Sequence, residues 1–175
     1  MERVDIEAPG IISIYVRGRN LSKLKAEGGQ FFNWRFLDSH RWYESHPFSL
    51  SAAPTDEQMR FTVKDLGDHS RSLVSVRPGT LVFIEGPYGT FTKHQAHKSR
   101  PLVLIGGGVG ITPIRALLEE LPRNRDITVI YRASTEQDLI FLDEIKELAQ
   151  RKNAKLEVLP GSRRLYPLEI GRAHV

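Results

Sequence analysis

Residues 101–113 of the chain read PLVLIGGGVGITP, an apolar run that leads directly into a glycine-rich loop. A continuous apolar run is typical of a strand that is buried on both faces of a parallel sheet, so we predict a strand over residues 101–105. After the loop at residues 106–110, Thr112 and Pro113 predict the N-cap and the first position of a helix that ends at Leu121. The stretch therefore predicts the strand, loop and helix of an α/β domain.

The glycine loop also has the composition of a phosphate-binding site. Glycines let the backbone approach a pyrophosphate closely, and the free N–H groups at a helix N-terminus favour an anion. The pattern is G-x-G-x-x-P, which differs from the G-x-G-x-x-G of full dinucleotide-binding domains. A tight turn that requires a positive φ is the alternative interpretation.

The alternation of strand and helix continues downstream of this stretch. Residues 127–131 and 156–159 predict two further strands, and residues 138–151 predict a helix between them. The resulting βαβαβ order predicts an incomplete, doubly wound parallel sheet in an α/β domain over residues 99–169.

The end of the chain has no such pattern. Residues 163–175 show neither a strand period nor a helix period. One reverse translation of residues 170–175 resembles a common sequencing adapter. We therefore expect residues 170–175 to be a non-native tail on a truncated gene fragment.

The part of the chain before the glycine loop has a different pattern, in which short β-rich segments alternate with Pro and Gly turns. These segments cover residues 11–16, 30–37, 48–52, 59–63 and 80–84. Strands at such spacing are typical of an antiparallel β-barrel or sandwich, and one short helix fits between Ser70 and Val76. Because residues 94–100 are polar and without a period, we predict a linker there and a first domain over residues 1–98.

Composition excludes several classes of protein and site. The 175 residues are 40% hydrophobic and 26% charged, which are ordinary values for a globular protein. The apolar runs are far too short to span a bilayer, and a chain without cysteine has no disulfide and no Cys-ligated cluster or zinc site. Residues 1–98 carry 13 basic against 11 acidic side chains and the remainder 12 against 10. Since this net charge is spread evenly, we expect no nucleic-acid partner.

The motif His46-Pro47-Phe48-Ser49 has the residue types of a cofactor site. The histidine can meet a phosphate, the phenyl ring can lie flat against a cofactor ring, and the hydroxyl can face a ring nitrogen. The alternative is a strand that starts at the proline, with Phe48 in the core.

A second motif of the first domain, Gly67-Asp68-His69-Ser70, suits an anion. A glycine here precedes a serine at a predicted helix start, where free N–H groups can cradle a phosphate. A plain N-cap formed by Asp68 or Ser70 is an equally good interpretation.

Other groups of polar residues are predicted to be solvated. His94 and His97 have the spacing of metal ligands but lie in the linker without a third ligand nearby. The carboxylate pairs fall on amphipathic helices, where we expect exposed faces. These pairs are Glu119-Glu120 and Asp143-Glu144.

The order of the motifs resembles the ferredoxin-reductase superfamily. H-P-F-S, G-D-H-S, GPYGTF at residues 86–91 and GGGVGITP follow one another within residues 4–162. The flavin motif of that family is R-x-[YF]-[ST], and His46 stands in place of its arginine. This variant is similar to the bacterial ferric-reductase-like and NADPH-oxidase-like branch. The resemblance implies an FAD-binding antiparallel β-barrel followed by an α/β domain that binds a nicotinamide nucleotide.

The resemblance also implies a role for each motif residue. Phe48 would stack on the flavin, Ser49 would hydrogen-bond near flavin N5, and Thr112 would contact the nicotinamide, so Ser49 and Thr112 are the candidate catalytic residues. The further residues implied for FAD are His46, Pro47, Val63, Lys64, Gly67, His69 and Ser70. Those implied for the nucleotide are Gly107, Gly108, Val109, Gly110 and Pro113.

Arg132 follows a predicted strand at the position where such domains select the adenosine end of the nucleotide. A guanidinium there can bind a 2′-phosphate, assisted by Ser134. We therefore expect NADPH ahead of NADH. A surface arginine that caps a strand end is the alternative.

The implied function is that of a flavin-dependent oxidoreductase, in which NAD(P)H passes a hydride to FAD and electrons continue to an acceptor. The acceptors implied are the haem of a membrane partner domain, ferric iron or a ferredoxin. We expect a cytoplasmic protein, at the cytoplasmic face of a membrane if the chain is a fragment. The last αβ unit of the family is missing, so a non-catalytic flavin- or nucleotide-binding fragment is the alternative. A nucleic-acid-binding module is a third possibility, which has only the net charge in its favour.

Overall fold

Three sheets of three strands each make up the computed structural model, which describes residues 1–38, 42–65, 73–97 and 99–161. The strands are β1 Arg3–Ala8, β2 Ile11–Arg17, β3 Phe31–Phe36, β4 His46–Ser49, β5 Gln58–Lys64, β6 Val82–Tyr88, β7 Leu102–Gly107, β8 Ile127–Ala133 and β9 Lys155–Pro160. The helices are α1 Ile111–Glu120 and α2 Leu142–Lys152. Short 3-10 turns lie at Leu21–Leu24, Leu73–Ser75, Gly108–Gly110 and Glu136–Asp138.

Two antiparallel sheets, ordered β1-β2-β5 and β4-β3-β6, enclose an aromatic core. On β3, Phe32, Trp34 and Phe36 are buried and alternate with half-exposed residues, as a period of two requires. The Trp34 ring stacks on Phe61 of β5 with 4.3 Å between centroids, and a bridge between Leu50 and Phe61 joins the two sheets. This arrangement confirms the predicted antiparallel barrel.

Strands β2 and β5 are buried on both faces, because one face meets the barrel core and the other meets the second half of the molecule. Ile14 and Phe61 point into the barrel core. Ile11 belongs to the core of the second half, and Arg60 reaches Glu144 on α2. The second half therefore packs directly against the β2–β5 pair.

The second half is a parallel sheet in the order β7-β8-β9. Its two crossover helices pack on the same face, where Val129 and Tyr131 are fully buried, as right-handed crossovers in one direction require. On the opposite face Val103 and Ile105 are 54% and 57% exposed. The predicted incomplete α/β domain with a parallel sheet is confirmed, and among the described residues its helices cover one of the two faces that a doubly wound sheet has covered.

The predicted helix starts are wrong in detail. Helix α1 begins at Ile111 with Gly110 at the N-cap position, because the 3-10 turn before it already has helical geometry. Thr112 is therefore buried in the first turn and not the cap, and Pro113 is the third helical residue. Helix α2 begins at Leu142 and not near residue 138, because Phe141 adopts a left-handed conformation with φ of 56°.

Strand β1 is an addition to the predicted strands, although its residues alternate charged and apolar as a half-buried strand does. It lies at a sheet edge, where Ile6 is 77% exposed. The boundary between residues 98 and 99 stays a prediction, as does the non-native tail, which lies outside the described residues. Neither of the two described helices is long and apolar enough to cross a membrane.

Candidate functional site

A cleft of about 350 Å³ lies between the barrel and the carboxyl ends of the parallel strands. This is the edge of an α/β sheet at which ligands bind in open parallel sheets. The barrel contributes Ile11 and Lys64 to the cleft. The second half contributes Gly107, Gly108, Val109, Arg132, Ala133, Ser134, Asp138 and Gly161.

The glycine turn forms one side of this cleft and leaves it open. A Cβ atom placed on Gly107, Gly108 or Gly110 would have no other atom within 4 Å. Gly108 has a φ of 52°, which a side chain would strain. Gly106 has a different role, because its Cβ would lie 2.7 Å from the Ile111 side chain and push α1 off the sheet. The turn thus provides space for a group that approaches the backbone closely.

Among the described residues, three charged side chains line the cleft: Lys64, Arg132 and Asp138. Lys64 lies with its Nζ 3.9 Å from Oδ1 of Asp138, whose other carboxylate oxygen accepts a 2.8 Å hydrogen bond from Thr135. Arg132 is paired in sheet register with Gly107. Two cations and one carboxylate beside a helix N-terminus make the cleft suited to phosphate groups.

The residues implied for the nucleotide come together only in part. Gly107, Gly108, Val109 and Arg132 line the cleft. Thr112, the candidate catalytic residue, is 4% exposed in the first turn of α1.

The residues implied for FAD are divided between two places. Val63 is buried in the barrel core, whereas Lys64 next to it lines the cleft with the glycine turn. Gly67, His69 and Ser70 lie outside the described residues. Pro47 is exposed and Ser49 is half-buried on β4.

Phe48 belongs to a stack of aromatic rings on the barrel. Its ring lies parallel to Phe61, with 5.1 Å between centroids and 6° between planes, and Phe61 stacks in turn on Trp34. The Trp34 Nε1 donates a 3.1 Å hydrogen bond to the Phe48 carbonyl, which fixes β4. One ring face of Phe48 is thus covered by the core, while the side chain stays half-buried.

His46 lies on the same side of β4 as Phe48, with 6.1 Å between the ring centroids. Its Nε2 is 3.2 Å from a carboxylate oxygen of Glu44. Strand β5 joins this region to the cleft, because Phe61 contacts Phe48 and Lys64 follows three residues later on the same strand.

Three of the carboxylates predicted to be solvated instead connect the two halves of the molecule. Glu120 accepts a 2.9 Å hydrogen bond from the Gly28 amide, and Glu119 accepts one of 2.8 Å from Ala53. Glu144 pairs with Arg60. Asp143 is 93% exposed, as predicted. The prediction failed for the other three because helix periodicity shows that a face is polar, not what the face contacts.

The pair of Arg60 and Glu144 is the most extensive of these contacts. Arg60 is 6% exposed and donates to both carboxylate oxygens of Glu144, at 3.0 and 2.9 Å. Arg115 donates to the same carboxylate at 2.8 Å. Burial alone raises the pKa of Glu144, but the hydrogen bonds and charges of the two arginines outweigh it and lower the pKa below 4.5.

The sequence pattern of β5 does not reveal this interface. In β5 the polar residues Arg60, Thr62 and Lys64 alternate with apolar ones, yet Arg60 and Thr62 are buried. A hydrogen-bonded row of hydroxyls continues the interface, from Ser13 to Thr62 at 2.9 Å and on to Ser51 at 2.8 Å. Because such an alternation is typical of a strand with one solvated face, the burial of Arg60 and Thr62 could not be predicted from it.

The histidines of the linker show ordinary surface contacts. His94 lies 2.8 Å from a carboxylate oxygen of Glu27 and is 69% exposed. In the part of the chain that the structure describes, no group of three potential ligands could hold a metal ion.

The residues of the cleft fit a dinucleotide. The unfilled Cβ positions of the glycine turn match the space that a pyrophosphate needs, and Lys64 and Arg132 supply positive charge from opposite sides. For a flavin the fit rests on β4, where part of the Phe48 side chain remains exposed. The predicted flavin-phosphate motif lies outside the described residues.

Comparison with known proteins agrees with this division. Residues 3–92 match a family model described as an FAD-binding domain. Residues 104–166 match one described as an oxidoreductase NAD-binding domain. The first match covers about half of the chain and coincides with the barrel, and the second begins within β7.

Curated relatives include the reductase component of propane 2-monooxygenase from Mycolicibacterium goodii. It is 30% identical over 154 residues, which are 84% of this chain and 43% of the relative. A flavohemoprotein from Oceanobacillus iheyensis is 31% identical over 83% of this chain and 39% of its own length. The chain spans less than half the length of these relatives.

Among solved structures, the flavohem-like FAD/NAD-binding domain of nitric oxide dioxygenase from Vibrio cholerae has the same fold. The TM-score is 0.79 at 24% identity, and the match covers 95% of this chain and 79% of that one. At this identity the likeness shows the fold alone.

Proposed function

The chain belongs to the FAD-binding domain family as a ferredoxin-reductase-like FAD- and NAD-binding oxidoreductase module, and on that premise we propose that NAD(P)H binds in the cleft and that electrons leave through FAD to an acceptor. When bound, the flavin supplies the redox chemistry, since it accepts a hydride and releases single electrons. The residues of this chain bind and orient the two cofactors.

The cleft carries this proposal. Gly107 and Gly108 let the backbone approach the nucleotide pyrophosphate, and the first turn of α1 offers its N–H groups. Lys64 and Arg132 neutralise the phosphates from opposite walls. Because a guanidinium suits a 2′-phosphate, we propose NADPH as the preferred nucleotide.

The flavin is assigned to the barrel. Phe48 lies beside the flavin ring, Ser49 hydrogen-bonds near N5, and His46 meets a flavin phosphate together with the motif at residues 67–70. Thr112 is assigned to the nicotinamide end of the nucleotide. The exposed part of Phe48 and its neighbour His46 on β4 support this assignment.

The proposed acceptor is a haem or iron centre in a partner. The histidine of H-P-F-S favours the ferric-reductase-like and NADPH-oxidase-like branch, in which the module works at the cytoplasmic face of a membrane domain. Relatives named as a reductase component and as a flavohemoprotein favour a protein acceptor in general.

Anaerobic absorbance spectroscopy tests the proposal. The protein is loaded with FAD, and NADPH or NADH is added in separate titrations. Bleaching of the oxidised flavin band, faster with NADPH, is the expected result. A bound flavin that neither nucleotide bleaches contradicts the proposal and favours a binding fragment without turnover.

A further inference from the structure

One arginine of the barrel, Arg60, contacts the segment that forms one wall of the cleft. We call residues 134–141 the wall segment; it connects β8 to α2 and contributes Ser134 and Asp138 to the cleft. Arg60 contacts the junction of this segment with α2 in two ways. Its guanidinium pairs with both carboxylate oxygens of Glu144 and lies 4.4 Å over the ring of Phe141.

The contact is specific because the guanidinium is oriented from several sides. Beside the two bonds to Glu144, Arg60 donates 2.8 Å to the Ser51 carbonyl and 3.3 Å to the Tyr15 hydroxyl. Two parallel bonds to a carboxylate fix an angle as well as a distance. The position of Glu144 relative to β5 is therefore set by a rigid, buried fork.

Glu144 also joins the two helices of the second half. Its Oε2 accepts a 2.8 Å hydrogen bond from Arg115 of α1, and Arg115 pairs with Glu119 in its own helix. One carboxylate is thus shared by an arginine from each half of the molecule. Movement of Arg60 would be passed on to both helices that flank the cleft.

The wall segment is anchored at its second half, where Ile140 and Phe141 are buried in the core of the parallel-sheet half. The Tyr131 hydroxyl donates to the carbonyl groups of Asp138 and Ile140, at 3.2 and 3.1 Å, and so holds the segment from the sheet. At the other end Phe141 has a φ of 56°, a conformation that L side chains adopt at a cost. The cation–π contact with Arg60 stabilises Phe141 in that position.

We propose that Arg60 is a positioning residue that sets the width of the nucleotide cleft by holding the wall segment against β5. The inference rests on the proposed nucleotide site, but Arg60 itself need not touch the ligand. Without the fork, the wall samples wider positions, and the apparent affinity falls with the fraction of molecules in which the cleft keeps its width.

The width of the cleft can be measured directly, because the chain contains no cysteine and two introduced ones can be labelled without background. Suitable positions are Arg19, which follows β2 on the barrel, and Gln137 in the wall segment, both of which are exposed, so that their separation reports the position of the wall relative to the barrel. Spin labels at Arg19→Cys and Gln137→Cys report their separation by double electron–electron resonance. We expect one narrow distribution in the parental protein and a width at least about doubled by Arg60→Met, as a fluctuating wall requires.

The second readout is equilibrium binding of NADP⁺, which is measured without turnover. We expect Arg60→Met to raise the dissociation constant about tenfold, which corresponds to a competent fraction of about one tenth. Arg60→Lys keeps the charge but loses the two-point contact with the carboxylate. Its dissociation constant for NADP⁺ should therefore lie between those of the parental protein and Arg60→Met. If Arg60→Met does not fold, both measurements are made on Arg60→Lys instead.

Arg3→Met is the matched control. Arg3 also lies over the Tyr15 ring, at 3.5 Å, and pairs with Asp5, but both partners belong to the barrel. We expect its distance distribution and its NADP⁺ affinity to remain parental.

The outcomes separate the two proposals. A folded Arg60→Met or Arg60→Lys protein with a parental distance distribution overturns the positioning role. A distance distribution of Arg60→Met that is no broader than that of Arg3→Met also overturns the positioning role. If the parental protein does not bind NADP⁺, the proposed nucleotide site fails, while the distance measurement still decides whether Arg60 holds the wall.

Discussion

Lys64 of the barrel and Asp138 of the parallel-sheet half face each other at the cleft, with 3.9 Å between Nζ and Oδ1. Their side chains are 41% and 34% exposed, so the pair is screened and contributes no more than about 1 kcal/mol. A phosphate group can therefore replace Asp138 as the partner of Lys64 at little cost. The pair links the two halves of the molecule at the position where the account places the nucleotide.

Replacing Lys64 with Met should weaken nucleotide binding and leave flavin binding intact. A charge-assisted hydrogen bond contributes about 1.5–3 kcal/mol, so we expect at least a roughly tenfold higher dissociation constant for NADP⁺. Isothermal titration calorimetry measures it, with flavin content determined on the same sample. Lys146→Met is the control, because Lys146 also pairs with a carboxylate, Asp143, but on the exposed side of α2. Loss of flavin with unchanged NADP⁺ affinity would assign Lys64 to the flavin instead.

Substitutions at two neighbouring glycines should affect NADP⁺ binding and thermal stability separately. A Cβ atom at Gly107 would meet no atom within 4 Å, and the backbone there is extended, so the melting temperature of Gly107→Val should stay near the parental value while NADP⁺ binding is lost. Gly106→Ala would bring a methyl group within 2.7 Å of the Ile111 side chain, and overpacking of this kind costs about 1–3 kcal/mol. Thermal unfolding and NADP⁺ titration of both variants check the pattern. Parental binding by Gly107→Val would show that the space beside the turn is not used by the ligand.

The pH dependence of the free energy of unfolding should reflect the ionisation of Glu144. Its pKa is lowered in the folded protein from the ordinary 4.5. Its contribution is therefore complete above pH 4.5 and is lost as the pH falls through the lower, folded-state pKa. Glu144→Gln should lower the free energy of unfolding by about 1–2 kcal/mol above pH 4.5, a value discounted for the 38% exposure of the side chain. In this variant the free energy of unfolding should also fall less steeply as the pH decreases below 4.5.

Urea unfolding between pH 3 and pH 7 measures this dependence. Asp143→Asn is the matched control, since Asp143 lies one residue earlier with a side chain that is 93% exposed. If the free energy of unfolding falls equally steeply toward pH 3 in Glu144→Gln and in the parental protein, the ionisation of Glu144 does not stabilise the fold.

Phe48 should matter for flavin retention more than for stability. Its side chain is half-buried against Phe61 and leucine keeps much of its apolar volume, so Phe48→Leu should cost about 1 kcal/mol of unfolding free energy, well below the cost of truncating a buried aromatic ring to alanine, yet release bound FAD. Phe36→Leu is the comparison, because Phe36 is 1% exposed in the same core and lies away from β4. Flavin fluorescence after gel filtration and urea unfolding give the two quantities. If both variants retain FAD equally, Phe48 is a core residue and the alternative interpretation of the motif holds.

Much of the fold could be predicted from local patterns. The alternation in β3 and the apolar run of β7 each reflect the environment of a single strand, and both strands were predicted close to their observed bounds. The glycine turn was predicted for the same reason, because close approach of a backbone to a ligand needs glycine wherever it occurs. What could not be predicted depends on partners far away in the sequence.

Glu144 illustrates that limit. Its position on an amphipathic helix is visible in the sequence, but its partner Arg60 lies 84 residues earlier. The prediction of Thr112 as the N-cap is wrong for a local reason. The 3-10 turn before it continues into α1, so Gly110 occupies the cap position. Lys64 lines the cleft at the end of β5, and the role at the flavin that the resemblance implies for it stays a prediction.

Single-turnover reduction of the bound flavin tests the central claim most directly. FAD-loaded parental protein and Gly107→Val are mixed anaerobically with NADPH, and dithionite is then added to each as a reductant that needs no binding site. We expect NADPH to bleach the flavin of the parental protein, whereas only dithionite should bleach that of Gly107→Val. Bleaching of Gly107→Val by NADPH at the parental rate would contradict the claim that the nucleotide reaches the flavin from this cleft.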